Sequence, residues 1–379
     1  MSRLQTVDAD TLMTTPLPVI QYVVDQLLPQ GLHILAGAPK VGKSWLALWL
    51  CLQVAKGESV WGFESSRGAV LYLCLEDSYA RIQNRLFQIT EDAPVSLYFA
   101  NLSDKIGGGL EEQIKDFLTR HADTNLVVID TLQKVRGMTG EANPYASDYR
   151  DLSKLKALAD EKNIAILLIH HLRKMNDDDP LNMISGTTGI SGATDSSFVL
   201  KPQKRGSRTA TLYCMGRDIE YRELPLEFRK ETHSWDLTEP VEREELCQDP
   251  QVIFLSEFLL GISAFDGTAT ELSVLLEQRT GERVTPAALS KRLVRYAAEL
   301  SKTGIHITSR RTRDSRLLRI RCDRRRVRFF SGTGDKGGKS LWRAERPVEA
   351  KTHPWVGQAS HPAIHRAHSP GLSPGTPCP

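Results

Sequence analysis

Residues 31–55 read GLHILAGAPKVGKSWLALWLCLQVA. Within them Gly37, Ala38, Pro39, Lys40, Val41, Gly42, Lys43 and Ser44 satisfy G-x-x-x-x-G-K-[ST] without a mismatch. The motif stands where its chemistry needs it, after a short apolar run of strand length and before a long helical pattern. There the glycines let backbone N–H groups turn toward phosphate oxygens, and the helix N-terminus adds the positive end of its dipole. Lys43 is placed for the β- and γ-phosphates and Ser44 for Mg²⁺, so ATP and Mg²⁺ are the expected ligands. A chance Gly-rich turn before a helix is the plain alternative, which the strand and helix on either side disfavour.

Outward from this stretch the same alternation repeats. The runs AVLYLCLE (69–76), LVVID (126–130) and NIAILLI (163–169) are apolar on both faces, and helical patterns lie between them, near Tyr79–Gln88 and Gln113–Arg120. Strands buried on both faces and separated by helices predict a mostly parallel sheet covered on both sides, an α/β domain. ATLYCM and SWDLTEP read as strands that close it. Residues 174–191 are polar and Gly-rich and read as a long functional loop.

The carboxyl ends of parallel strands carry chemistry in such sheets, and acidic and imidazole groups are found there. Asp130 ends LVVID and suits a magnesium-associated role; an N-cap is the plain alternative. Glu76 ends AVLYLCLE and is expected to activate the attacking water, with support of the next helix's first turn as the plain alternative, whereas Asp77 or Ser78 reads as the cap of that helix. His170 and His171 follow NIAILLI, where one is expected to contact the γ-phosphate and report its loss to the loop behind it; a structural hydrogen bond is the alternative.

The chain has 379 residues, 40% hydrophobic and 25% charged, which suits two globular domains and a tail. Its 49 basic and 46 acidic residues leave only +3, so charge has to be read by segment. Six cysteines are widely spaced with no CxxC pair, which argues against a zinc site or a disulfide scaffold and fits a reducing, cytoplasmic setting. No apolar run approaches the ~20 residues of a membrane span.

The predicted division is 1–245 for the nucleotide domain, 246–320 for a second domain, and 321–379 for a basic, Pro-, Gly- and His-rich disordered tail. In the second domain IFLSEFLLGI, TATELSVLLEQRTG and TPAALSKRLVRYAAEL read as helices, followed by the hairpin IHITSRRTRDSRLLRIR with its turn at residues 313–315. This is a small α+β winged-helix-like pattern. Lys291, Arg292 and Arg295 fall on its third helix and Arg310, Arg311, Arg313 and Arg316 on its wing, which predicts contact with duplex DNA phosphates; a solvated, protein-docking face is the alternative. Arg324, Arg325, Arg326 and Arg328 would add non-specific attraction.

The segments GLHILAGAPKVGKSWLAL, LYLCLEDS, LVVIDTLQKVRG, AILLIHHLRK, SGTTGISGATDS and CMGRDIE, in this order, resemble RecA-like P-loop ATPases of the plasmid RepA replicative-helicase type over about residues 15–240. The resemblance implies a homo-oligomeric ring, often a hexamer, with ATP between subunits and single-stranded DNA through the centre. It casts Glu76 as the catalytic glutamate, Asp130 as the Walker B aspartate and His170/His171 as sensors. Arg217 stands where a family member offers an arginine to its neighbour's γ-phosphate, with Arg173 and Lys174 as competitors and an ordinary surface ion pair as the plain alternative. Ile184 and Ser185 occupy positions where relatives carry a basic residue. The 246–320 segment resembles C-terminal winged-helix modules beside such ATPases in mobile elements. The implied function is an ATP-driven DNA helicase or translocase replicating a plasmid, phage or integrated element. The alternatives are a non-helicase RecA-like ATPase of repair or recombination, and a DNA-binding regulator switched by ATP.

Overall fold

The computed structural model describes residues 4, 6–137, 144–172, 180–184, 188–204, 206–239, 249–311 and 316–323. Its centre is a nine-stranded sheet. The strands are β1 (Gly31–Gly37), β2 (Ala69–Cys74), β3 (Leu97–Ala100), β4 (Thr124–Asp130), β5 (Ala165–His171), β6 (Ser196–Pro202), β7 (Thr209–Gly216), β8 (Arg222–Arg229) and β9 (Ser234–Leu237). They lie in the order β9-β8-β7-β6-β1-β5-β4-β2-β3. From β6 to β3 every pairing is parallel, and β7, β8 and β9 continue the sheet antiparallel. The α/β class and mostly parallel sheet expected from the apolar runs are present.

All seven residues of β1 are buried, as are the six of β2. A strand enclosed on both faces needs apolar side chains in both directions, and each fully buried Leu or Ile contributes about 1.5–3 kcal/mol. Successive residues point to opposite faces, so two cores form. One gathers Leu35, Tyr72, Val128 and Ile169 with Leu46, Cys51 and Val54 of the helix Lys43–Lys56. The other gathers Ile34, Leu73, Ile129 and Leu168 with Ile114 and Phe117 of the helix Leu110–Arg120 and Leu152, Leu155 and Leu158 of the helix Pro144–Lys162.

Several elements differ from the sequence reading. The helix at 144–162 and the strands β3 and β8 were not foreseen; β8 carries Pro225 and charged residues on its exposed side, which blurs the alternation. His170 and His171 are the last two residues of β5 rather than the residues after it. Of the expected loop 174–191, Pro180–Met183 forms a 3₁₀ turn and Thr188–Ala193 a helix.

The C-terminal segment forms the helices Pro250–Ile262, Ala269–Thr280, Pro286–Arg295 and Ala297–Lys302 around a three-stranded antiparallel sheet. Arg316–Cys322 is its central strand, between Ala264–Thr268 and Ile305–Arg311. Local chemistry sets the helix starts. Asp249 caps the first helix ahead of Pro250, Thr268 and Glu271 form a reciprocal capping box, and Thr285 caps the third ahead of Pro286. The strand Ala264–Thr268 was not foreseen, and the expected third helix breaks at Tyr296. A separate apolar cluster, including Leu255, Leu259, Leu272, Leu289, Leu293, Ile305 and Ile320, fills this segment. The expected turn at 313–315, most of the acidic stretch 239–249, and the tail beyond residue 323 lie outside the described residues, as do Arg173, Lys174, Ser185, Arg313, Arg324, Arg325, Arg326, Arg328 and the side chain of Arg311.

Candidate nucleotide site

The parallel register sets the site. Gly37 of β1 pairs with His171 of β5 and Leu200 of β6, Asp130 of β4 pairs with Ile169, and Cys74 of β2 pairs with Asp130. The loops that follow β1, β2, β4 and β5 therefore leave the sheet along one carboxyl edge, and residues 37, 76, 130 and 170–171, scattered over the sequence, come together there.

The loop from Gly37 to Gly42 turns into the helix Lys43–Lys56, with Gly42 as its N-cap at φ 100°. Only glycine adopts that conformation without strain. Lys43 is 6% exposed, and its ammonium donates to the carbonyls of Gly37 (2.8 Å) and Ala38 (3.0 Å). Burial draws its pKa down to about 8, against the opposing pull of the Asp130 and Glu76 carboxylates. Such a half-desolvated cation gains most from a polyanion placed beside it.

Asp130 is 4% exposed, and burial holds its carboxyl above the usual range, partly offset by hydrogen bonds from Ser44 and Tyr72. The Tyr72 hydroxyl donates to Oδ2 at 2.8 Å. Ser44 and Asp130 together form an oxygen donor pair at the mouth of the phosphate loop. Mg²⁺ takes oxygen ligands and keeps several from water and phosphate, so one hydroxyl and one carboxylate suit it. Among the described residues no group of three or more His, Cys, Asp or Glu side chains is arranged to hold a metal by itself.

Glu76 is exposed beside this pair, and the Thr131 hydroxyl donates to its Oε1 at 3.0 Å. Asp77 instead pairs with Arg81 (2.7 Å) and Arg85 (2.5 Å), and Ser78 caps the helix Tyr79–Ile89, as the capping reading expected. Of the three acidic groups Glu76, Asp77 and Asp130, Glu76 is thus the one open to solvent and not held by an arginine.

The two histidines part company. Strand alternation puts His171 on the same face as Leu167 and Ile169, the face of the helix Lys43–Lys56, and His170 on the opposite face with Ile166 and Leu168. Arg217 is elsewhere again. Gly216 pairs with Ser196 at the start of β6, so Arg217 sits at the amino edge, where it lies 3.6 Å from Asp195. The carboxylate of Asp195 also accepts from the backbone of Leu32 at 2.9 Å. One strand length of seven residues, about 20 Å, separates Arg217 from its own phosphate loop.

Three neighbours of the site escaped the sequence reading. Trp235 of β9 lies over the loop, its Nε1 donating to the Gly42 carbonyl at 3.3 Å. Arg85 covers the Trp45 ring at 5.4 Å while holding Asp77. Thr131 was foreseeable only as the polar residue after Asp130; nothing in the sequence signals the other two, because long-range packing brings them in.

The described cysteines 51, 74, 214 and 322 are free thiols. Among the described residues no helix is long and apolar enough to cross a membrane.

Residues 1–177 match a family model described as an AAA domain. No curated protein matches the chain. Among solved structures it is similar to one described as an ATPase domain, at 14% identity and a TM-score of 0.47 over 55% of this chain and 85% of that one. It is also similar to a DnaB-like replicative helicase described with its interactions with primase, at 13% identity and a TM-score of 0.47 over 57% of this chain. The chain spans 58% of that second protein. The phosphate loop, the buried lysine and the Ser44–Asp130 pair thus gather on one sheet edge, within the residues that are similar to the AAA domain.

Proposed function

We propose that the protein is an ATP-hydrolysing DNA motor, a helicase or translocase, working as a homo-oligomeric ring in the cytoplasm on the DNA of a plasmid, phage or integrated element. The division into an ATPase domain (1–245), a winged-helix-like domain (246–320) and a basic tail (321–379) belongs to the same reading. The observation that carries it is the placement of Arg217. A cation that completes phosphate hydrolysis belongs within contact distance of the γ-phosphate, yet Arg217 lies a full strand length from its own site. In a ring with ATP between subunits, the amino edge of one copy serves the carboxyl edge of the next, and turnover then depends on assembly.

Within a site the roles follow from the chemistry. Lys43 and the backbone amides after Gly37 hold the β- and γ-phosphates. Ser44 and Asp130 would hold Mg²⁺, which would supply positive charge against the phosphates. Glu76, oriented by Thr131, takes the proton of the attacking water. His171, on the phosphate-loop face, faces the γ-phosphate, and His170, one residue earlier on the other face, passes its loss to the loop that follows. Arg217, Arg173 and Lys174 are the cations available in trans. Single-stranded DNA is the track, and the basic third helix and wing of the C-terminal segment engage duplex.

Unwinding of a forked DNA by the full chain with MgATP tests the reading. Lys43→Ala abolishes both hydrolysis and unwinding on this account. ATP turnover without strand displacement or movement on DNA would favour a repair or recombination ATPase, and binding without turnover would favour the switched regulator.

A further inference from the structure

The face of the C-terminal segment that carries the basic third helix is covered by the chain's own N-terminus. The helix Ala9–Thr14 is capped by Asp8, whose carboxylate accepts from the backbone and hydroxyl of Thr11. This short acidic helix lies against Pro286–Arg295. Asp10 pairs with Lys291 at 2.9 Å, and the Arg316 guanidinium, at the start of the wing strand, donates to the Thr14 hydroxyl at 2.7 Å. Met13 borders a cleft of about 460 Å³ together with Gln251, Lys291, Val294 and Tyr296. Further along, Asp25 reaches Lys302 at 3.5 Å.

The charges are complementary. A carboxylate on Lys291 and a hydroxyl oxygen on Arg316 occupy the cations that a phosphate backbone would use, and oxygen acceptors in those places mimic it. The contacts are also weak. Lys291 and Asp10 are both well exposed, and such pairs are worth little, so the cover is removable.

We propose that the surface formed by Lys291 and Arg316 is a duplex-DNA surface, and that residues 8–14 cover it as an acidic stand-in which the phosphate backbone displaces. The inference rests on the reading of the C-terminal segment as DNA-binding. It makes duplex affinity a competition within the chain: the free segment holds the face, and duplex takes it at the cost of opening those contacts.

The test compares the full-length protein with the full-length double variant Asp10→Asn, Met13→Ser, which removes the carboxylate on Lys291 and the apolar contact at the cleft, and with Glu112→Gln, on the exposed side of the helix Leu110–Arg120, as a control of equal net charge. Binding of a fluorescent 20-base-pair duplex is measured by anisotropy over a range of salt, with circular dichroism melting to check the fold. The expected result is about fivefold tighter binding by the double variant than by the control, equivalent to about 1 kcal/mol, with a steeper dependence of log affinity on log salt because Lys291 is free to neutralise phosphate. Lys291→Ala in the variant background should remove about one unit of that slope. Equal duplex affinity and slope in the double variant and the control would overturn the cover while leaving the DNA reading intact. Absence of duplex binding by all three proteins would overturn the DNA reading and the cover with it.

Discussion

Trp235 and Gly42, distant in sequence, meet at the entrance of the phosphate loop: the indole Nε1 donates to the Gly42 carbonyl at 3.3 Å, and a Cβ on Gly42 would stand 3.1 Å from the ring. The antiparallel end of the sheet thus clamps the turn that starts the helix Lys43–Lys56. Gly42→Ala meets both a left-handed backbone, costing about 1–2 kcal/mol, and the indole. ATP-analogue affinity is expected to fall at least tenfold by fluorescence titration. Trp235→Phe keeps an aromatic ring and loses the donor; the Gly42 carbonyl retains the Leu46 N–H at 3.0 Å, so the cost is that of one net hydrogen bond, about 0.5–1.5 kcal/mol, and a lower melting temperature with intact stoichiometry of binding would show it.

Lys43 makes nucleotide affinity pH-dependent. Its pKa is drawn down to about 8 in the free site, and phosphates raise it by stabilising the ammonium. Binding therefore takes up a proton once the pH exceeds about 8. Affinity for MgATP should be flat from pH 6.5 to 7.5 and fall about tenfold by pH 9, since each unit above the free-site pKa costs a factor of ten until the bound pKa is reached. A flat profile to pH 9 would show that the ammonium is not the group that binds.

Glu76→Gln should retain nucleotide affinity within about twofold and lose hydrolysis by a factor of 10²–10⁴, the usual worth of a positioned base. Thr131→Val should lower turnover less, because it removes the hydrogen bond that orients Glu76 and leaves the carboxylate. Loss of binding alone in Glu76→Gln would place that carboxylate in a binding role.

Arg217→Ala should reduce ATPase activity of the assembled protein by 10³-fold or more if the arginine acts on a neighbour. Mixing it with Glu76→Gln protein should restore part of the activity, at interfaces that join an intact Glu76 to an intact Arg217. Co-assembly shown by native mass measurement without recovery would assign Arg217 to its ion pair with Asp195.

Residues 246–323 expressed alone should fold, because their apolar cluster is drawn from within the segment, and should bind duplex DNA with log affinity falling linearly with log salt, about 0.9 per phosphate contact. Arg292→Ala should shrink that slope by about one unit if Arg292 leaves Glu282, its partner at 3.2 Å, for phosphate. Binding without salt dependence would point to protein docking.

The sequence by itself determined the parts whose chemistry is local. A contiguous motif such as Gly37–Ser44 names its own ligand because neighbouring backbone amides act together, and buried strands announce themselves by being apolar on both faces. The cap at Ser78 was similarly readable, since a cap bonds to residues only a few positions away. Tertiary structure decided what depends on distance in space. Strand register and alternation put His171 and His170 on opposite faces, and antiparallel pairing carried Arg217 to the edge remote from its own phosphate loop. Packing brought Trp235 onto Gly42 and the acidic N-terminal helix onto Lys291. None of these is encoded in a local pattern, because each joins segments whose separation along the chain carries no trace of their contact.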